Sequence, residues 1–327
     1  MPGRKKGGGV KKSLSFLLRF GLSFGLLWFL FFRMTQDGKV SELLDLIRTT
    51  DVRYIVYAFM LFALIHGLLL LRWRIFIEAL KLQVPWINMA RYFFIGLFGN
   101  LFMPTAIGGD VIKAVGLCVN ARQKPAIVAS VLLDRLSGFA SMVVVACFAL
   151  VWGFSYLTNP VIWIMVCIMA FILTGLGCVL FNERLYRLFC SVFYFFPRVK
   201  KAVIQMHFDI ALLKDRKSAI VKAIGVSCCS QLLLALTFFL LARALHQDVP
   251  LFYFIIFTPI TCVASALPSI GGLGFREGML EYLLMHIGVM SGIGVSIGLL
   301  DFLFMVVVGV LGWVFFMCTC NQRSVCH

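Results

Sequence analysis

The chain has 327 residues, of which 61% are hydrophobic and only 13% are charged. This composition is too apolar for a soluble domain, and the chain is too long for a single anchor, so we predict a polytopic, all-α membrane protein. The formal net charge of +16 does not indicate nucleic-acid binding, because the lysines and arginines lie between apolar stretches. That placement is typical of membrane topology and of contact with anionic lipid.

Eight apolar stretches follow one another along the chain, the first of which we interpret as an uncleaved span. They cover residues 14–32, 54–71, 87–107, 126–151, 160–180, 219–242, 251–267 continued by 276–289, and 291–317. Short basic segments between them, including Arg72, Arg74 and Lys81 and a loop at 181–218, predict a cytoplasmic side. Both termini are then cytoplasmic, in a multi-pass protein of the inner (cytoplasmic) membrane.

Two of the apolar stretches carry a helix-breaking motif. The first motif contains Pro104, Gly108, Gly109 and Asp110, with Lys113 just beyond. The second motif has the same character and consists of Pro268, Gly271, Gly272 and Gly274 followed by Arg276 and Glu277. Interruptions at corresponding places in two halves of an apolar chain indicate a transporter's binding site.

The order of the stretches predicts one transmembrane domain over residues 1–327 with an inverted 4+4 repeat. Repeat one covers about 14–151 and repeat two about 160–317. In each repeat the broken stretch is predicted to form a re-entrant hairpin, and the two breaks are expected to meet near the midplane. The alternative is eight ordinary helices of which two are kinked.

Asp134, Arg135 and Asp301 lie well inside predicted spans. Asp134 and Arg135 lie about eight residues into one span, roughly 12 Å deep, and Asp301 lies in the last. A charge at the bilayer centre costs at least about 2.5 to 3.5 kcal/mol, so each should face a partner or a polar cavity. A functional cavity and a structural ion pair both satisfy that requirement.

The glycines of both motifs are predicted to open helices whose N-termini face the protein interior, where such termini attract anions. Asp110 and Glu277 either cap these termini or balance nearby cations. Lys113 and Arg276 oppose the helix dipole, a conflict that the anionic headgroup of a ligand would remove. No cofactor or metal motif is present in the sequence, and we expect neither.

The motifs resemble those of the flippase-like membrane family typified by the transmembrane region of lysylphosphatidylglycerol synthase. The resemblance rests on Pro104 to Asp110, Leu133 to Leu136 and Pro268 to Glu277, in that order. It implies a lipid translocase fold whose motifs line the headgroup path. Synthase members carry a cytosolic aminoacyl-transfer domain after this region. Since the present sequence stops at His327, we do not expect that activity here.

The leading hypothesis is a non-enzymatic flippase or scramblase for a phosphate-bearing lipid, either a phospholipid, an aminoacyl-phospholipid or a polyprenyl phosphate. The glycine motifs with Lys113, Arg135 and Arg276 would hold the phosphate, and the carboxylates would balance these cations or accept protons. One alternative is a membrane-embedded transferase with Asp134 or Glu277 as base. Another is a scaffold for a soluble lipid-modifying synthase. The oligomeric state stays open.

Overall fold

The computed structural model describes residues 49–102, 108–118, 123–152, 216–267 and 272–324, together with single positions at 164, 167, 168, 171 and 175. All regular secondary structure among these residues is helical. The helices, numbered in chain order, are α1 (Val52–Ala79), α2 (Trp86–Phe102), α3 (Gly108–Cys118), α4 (Lys124–Trp152), α5 (Lys217–Ala244), α6 (Leu251–Ser265), α7 (Phe275–Met285) and α8 (Ile293–Ser324).

Four of these helices, α1, α4, α5 and α8, are long and apolar enough to cross a membrane. Their apolar character is that of a multi-pass membrane protein, as the sequence predicts. The predicted span at 14–32 lies outside the described residues, as does almost all of the span at 160–180 and of the basic loop at 181–218.

The end of α1 differs from the prediction. Arg72 and Arg74 were expected in a loop, whereas α1 continues to Ala79. The helix continues because apolar residues follow the two arginines, and Phe76 and Ile77 are buried in the protein. Arg72 is itself buried, so it does not report on the cytoplasmic surface.

Both motif-bearing stretches consist of two helices rather than one. In the first, α2 ends at Phe102 and α3 begins at Gly108; in the second, α6 ends at Ser265 and α7 begins at Phe275. Gly274 has φ +90°, in the left-handed region where glycine carries no steric penalty. Helix α7 therefore starts directly after a turn that requires glycine.

The helices pack into one body in which α1 lies against α5, and α2 contacts both α3 and α8. The α2–α8 contact depends on small residues, since a Cβ atom at Gly312 of α8 would collide with the Phe94 carbonyl oxygen of α2. The central core contains the fully buried rings of Phe238, Phe254 and Phe257. This packing fixes the starts of α3 and α7 against the long helices.

Candidate functional site

Helix α3 starts in close contact with α2, and glycine makes that contact possible. The Gly109 N–H donates to Asn100 Oδ1 at 2.8 Å. A Cβ atom at Gly109 would collide with the Gly96 carbonyl oxygen and would come within 2.6 Å of Asn100 Oδ1. Glycine is therefore needed at position 109, because a side chain there would prevent the close approach of the two helix backbones. The hydrogen bond to Asn100 also means that a side chain already occupies one of the N–H groups that we expected to attract an anion.

Asp110 in the first turn of α3 binds two cations. One oxygen lies 3.3 Å from Lys113 Nζ, and the other accepts from Arg135 Nε of α4. The Lys113 ammonium also lies 4.5 Å from the Phe93 ring centroid and 5.9 Å from that of Trp73, within cation–π range. The conflict between Lys113 and the helix dipole is thus relieved inside the protein, by Asp110 three residues earlier.

Asp134 of α4 pairs with Arg72, which was predicted to lie in a loop. Arg72 Nε donates to Asp134 Oδ1 at 2.6 Å, and the other arm of the same guanidinium donates to Ser227 Oγ of α5 at 3.0 Å. The guanidinium packs over Gly138, where a Cβ atom would lie 3.3 Å from it. The apolar run after Arg72 was the signal that the helix continues past this arginine.

We call Arg72, Asp110, Lys113, Asp134 and Arg135 cluster one. Its three cations and two carboxylates give a formal net charge of +1. Four of these side chains are at most 10% exposed, whereas the Arg135 side chain is 33% exposed. Cluster one therefore combines an excess positive charge with one cation that a ligand can reach.

The second motif builds a different arrangement, cluster two, from Arg276, Glu277 and Asp301. The Gly274 N–H donates to Glu277 Oε2 at 2.7 Å, so Glu277 caps α7. Arg276 donates through one terminal nitrogen to Asp301 Oδ2 of α8 at 2.5 Å. Its other terminal nitrogen donates to Glu277 Oε1 and to the Gly298 carbonyl oxygen, both at 2.9 Å, and Nε also faces Glu277 Oε1, at 3.3 Å.

Cluster two has one cation and two carboxylates, a formal net charge of −1. The donors of Arg276 already go to protein acceptors, and its side chain is only 10% exposed. Asp301 Oδ1 is buried and has no hydrogen-bond partner among the described residues. The cluster therefore carries an excess negative charge, which is the opposite of what a phosphate site offers.

Glu281, one turn after Glu277, stabilises the start of α8. It accepts from Gly292 at 2.6 Å through one oxygen, and from Gly294 and Val295 at 3.0 and 3.3 Å through the other. These are N–H groups that a helix N-terminus leaves unpaired. A Cβ atom at Gly294 would collide with the Glu281 backbone, so glycine allows this contact.

Comparison with known families gives a match over residues 16–312 to the family described as "Lysylphosphatidylglycerol synthase TM region". The match covers most of the chain. The protein belongs to this family. The resemblance seen in the sequence motifs is thereby confirmed, and membership points to a membrane protein of lipid modification or translocation. Comparisons with curated proteins and with solved structures gave no match.

All predicted site residues lie within the range that matches the lysylphosphatidylglycerol synthase TM-region family. The structure brings Asp110, Lys113 and Arg135 together in cluster one, beside Asp134 with its partner Arg72. It brings the later residues Arg276, Glu277 and Asp301 together in cluster two, next to the turn formed by Gly272 and Gly274. Three predicted site residues lie outside the described residues: Pro104, Pro268 and Gly271.

Proposed function

We propose that the protein is a lipid flippase or scramblase that moves a phosphate-bearing lipid between leaflets. The observation that carries this proposal is the excess positive charge of cluster one, beside the break between α2 and α3, with the Arg135 side chain 33% exposed. Arginine suits this role because its planar fork binds phosphate through two parallel hydrogen bonds. A phospholipid, an aminoacyl-phospholipid or a polyprenyl phosphate would each supply that group.

The cost of buried charge supports a ligand in cluster one. An ion in the bilayer centre costs at least about 2.5 to 3.5 kcal/mol unless a partner compensates it. Asp110 contacts both Lys113 and Arg135, and the five side chains of cluster one keep a formal charge of +1. A headgroup phosphate at the partly exposed Arg135 side chain would bring negative charge to this cluster and would leave the acyl chains in lipid.

The helix lengths support the proposed inverted repeat. Helices α1 and α5 have 28 residues each, and α3 and α7 have 11 each. An 11-residue helix extends about 16 Å, roughly half of the about 30 Å hydrocarbon core. The packing is also paired, since α2 contacts α8 as α6 contacts α4. We therefore propose that α2–α3 and α6–α7 are re-entrant hairpins of opposite orientation.

For orientation we propose an inner-membrane protein with both termini in the cytoplasm. Arg72 does not indicate the cytoplasmic side, because it is buried in an ion pair with Asp134. The assignment depends on the basic residues before residue 14, on Arg122 and Lys124, and on the basic loop at 181–218. Labelling of single cysteines placed before residue 14 from each side of the membrane tests it.

The membrane potential sets the direction in which such a lipid moves without energy input. Transfer of one charge is worth about 2.3 kcal/mol per 100 mV. With a negative interior, outward movement of an anionic phospholipid is downhill, whereas outward movement of a cationic lipid requires coupling to an ion. The proposed function thus predicts different energy requirements for different lipids.

The test is leaflet exchange of fluorescent phosphatidylglycerol, lysyl-phosphatidylglycerol and a polyprenyl phosphate in proteoliposomes. Wild type is expected to exchange at least one of them, and Arg135→Ala to lose most of that rate. The matched control is Arg243→Ala, an exposed arginine at the end of α5 that pairs with Asp248. Exchange that is equal in wild type and Arg135→Ala would contradict the headgroup site. Chemical conversion of the lipid would instead indicate a transferase, and no exchange at all would favour a scaffold for a soluble synthase.

A further inference from the structure

Five carboxylates are buried among the described residues, and they differ in how their oxygens are satisfied. Each has a relative exposure of 7% or less: Asp110, Asp134, Glu277, Glu281 and Asp301. A buried carboxylate is stable as an anion only where cations or N–H donors surround it. Their hydrogen-bond partners therefore identify which carboxylate carries uncompensated charge.

Four of the five carboxylates bind cations or N–H donors that account for their burial. Asp110 binds two cations, and Asp134 binds Arg72. Glu277 accepts through both oxygens, from the Gly274 N–H and from Arg276. Glu281 also accepts through both oxygens, from backbone N–H groups at the start of α8. These contacts give each of the four a clear structural role.

Asp301 differs from the other four. Its Oδ2 accepts from Arg276, but its Oδ1 is buried without a hydrogen-bond partner among the described residues. The arginine is also shared with Glu277, so one cation serves two carboxylates. Among the described residues, the other titratable group near Asp301 is the Cys262 thiol of α6, which supplies no positive charge. One negative charge of cluster two is left without a counter-ion inside the described protein.

We propose that Asp301 is a proton-binding site. A proton needs only one free carboxylate oxygen, and Oδ1 offers it. Binding of one proton would bring cluster two to a formal charge of zero while Arg276 stays paired with Glu277. In combination with the proposed lipid movement, on which this second step rests, Asp301 would be the residue through which a proton gradient drives transport.

The site can be tested without any lipid movement. Infrared difference spectra of the purified protein between alkaline and acidic buffer report the C=O stretch of a buried protonated carboxyl group. Wild type and the surface control Asp248→Asn, whose side chain is 83% exposed, should both show this band. Asp301→Asn should lose it. A band that persists unchanged in Asp301→Asn, or its absence from wild type at every pH, would overturn the proton site.

Asp301→Glu covers the case in which the amide variant does not fold. It keeps a carboxyl group but moves it by one methylene, so the infrared band should shift in position relative to wild type. An unshifted band in folded Asp301→Glu would assign the signal to another carboxyl group and overturn the proposal. Elution as a single symmetric peak in gel filtration is the criterion for folding of each variant.

Coupling is tested separately, with proteoliposomes under an imposed pH gradient. For one proton per lipid, a gradient of one pH unit biases the distribution between leaflets by up to about tenfold. Wild type should show a bias that Asp301→Asn lacks. Exchange in wild type without any bias would overturn the coupling step. If no lipid moves in wild type, the proposed function fails, and the infrared result still decides whether Asp301 binds a proton.

Discussion

Cluster one and cluster two begin from similar sequence and end with opposite charge. Each lies at the start of an 11-residue helix that follows a glycine motif, and each contains an acidic residue in the first helical turn. In cluster one that residue, Asp110, is shared by two cations. In cluster two the single cation Arg276 is shared by two carboxylates. The first arrangement suits an anion and the second a proton.

The difference comes from the long helices that face each motif. Helix α4 contributes Arg135 to cluster one, whereas α8 contributes Asp301 to cluster two. The two clusters also differ in exposure. The Arg135 side chain of cluster one is 33% exposed, whereas the Arg276 side chain of cluster two is only 10% exposed. Two related motifs therefore acquire opposite formal charge, to which the side chain on the next helix contributes. The predictions below test this separation.

The largest effect is expected from removing the arginine of cluster two. Arg276→Ala leaves Glu277 and Asp301 buried without a cation, and loss of one partner of a buried pair costs about 3 to 5 kcal/mol of unfolding free energy. Arg135→Ala should cost only about 1 kcal/mol, since Lys113 still pairs with Asp110 and the site is partly exposed. Unfolding by SDS titration in mixed micelles measures both. Equal losses in the two variants would remove the proposed difference between the clusters.

A smaller effect is expected at the Arg72–Asp134 pair, which joins α1 to α4 inside cluster one. Each single leucine substitution leaves an unpaired buried charge. The double variant Arg72→Leu/Asp134→Leu should therefore lose less unfolding free energy than the two single variants lose together. The expected coupling is up to about 3 kcal/mol. Additive losses in the same titration would show that the two side chains do not act as a pair. The exposed pair Arg243–Asp248 is the matched control and should couple by less than about 1 kcal/mol.

The smallest effect concerns the contact between α2, which supports cluster one, and α8, which carries Asp301. Gly312→Ala forces a Cβ atom against the Phe94 carbonyl oxygen, and overpacking of this kind costs about 1 to 3 kcal/mol. Gly67→Ala on α1 is the control, because no atom lies within 4 Å of its added Cβ. That control should be neutral or stabilise by up to about 1 kcal/mol. Equal unfolding free energies of Gly312→Ala and Gly67→Ala would contradict a tight contact between α2 and α8.

Local sequence features predicted much of this organisation. Hydrophobic runs located α1, α4, α5 and α8, and the glycine motifs located both interruptions. Burial of Asp134 and Asp301 followed from their position inside apolar runs and is observed. These features are encoded within a few residues of one another, so periodicity and composition suffice to find them.

Pairings between distant segments were not predictable in the same way. Arg72 meets Ser227 across 155 positions, and no local pattern indicates that contact. The same holds for Arg276 and Asp301, whose partnership decides the charge of cluster two. The prediction that Arg72 lies in a loop was wrong, because the apolar residues after Arg72 and Arg74 continue the helix to Ala79. The predicted inverted repeat, re-entrant hairpins and headgroup site stay predictions.

Native mass spectrometry with titrated anionic phospholipid tests most directly whether cluster one holds the headgroup. Wild type, Arg135→Gln and the control Arg243→Gln would be compared at equal lipid concentration. Loss of a hydrogen-bonded charge is worth about 1.5 to 3 kcal/mol, so Arg135→Gln should bind roughly tenfold or more weakly than wild type, and Arg243→Gln should bind like wild type. Equal binding by all three proteins would contradict a headgroup site at Arg135.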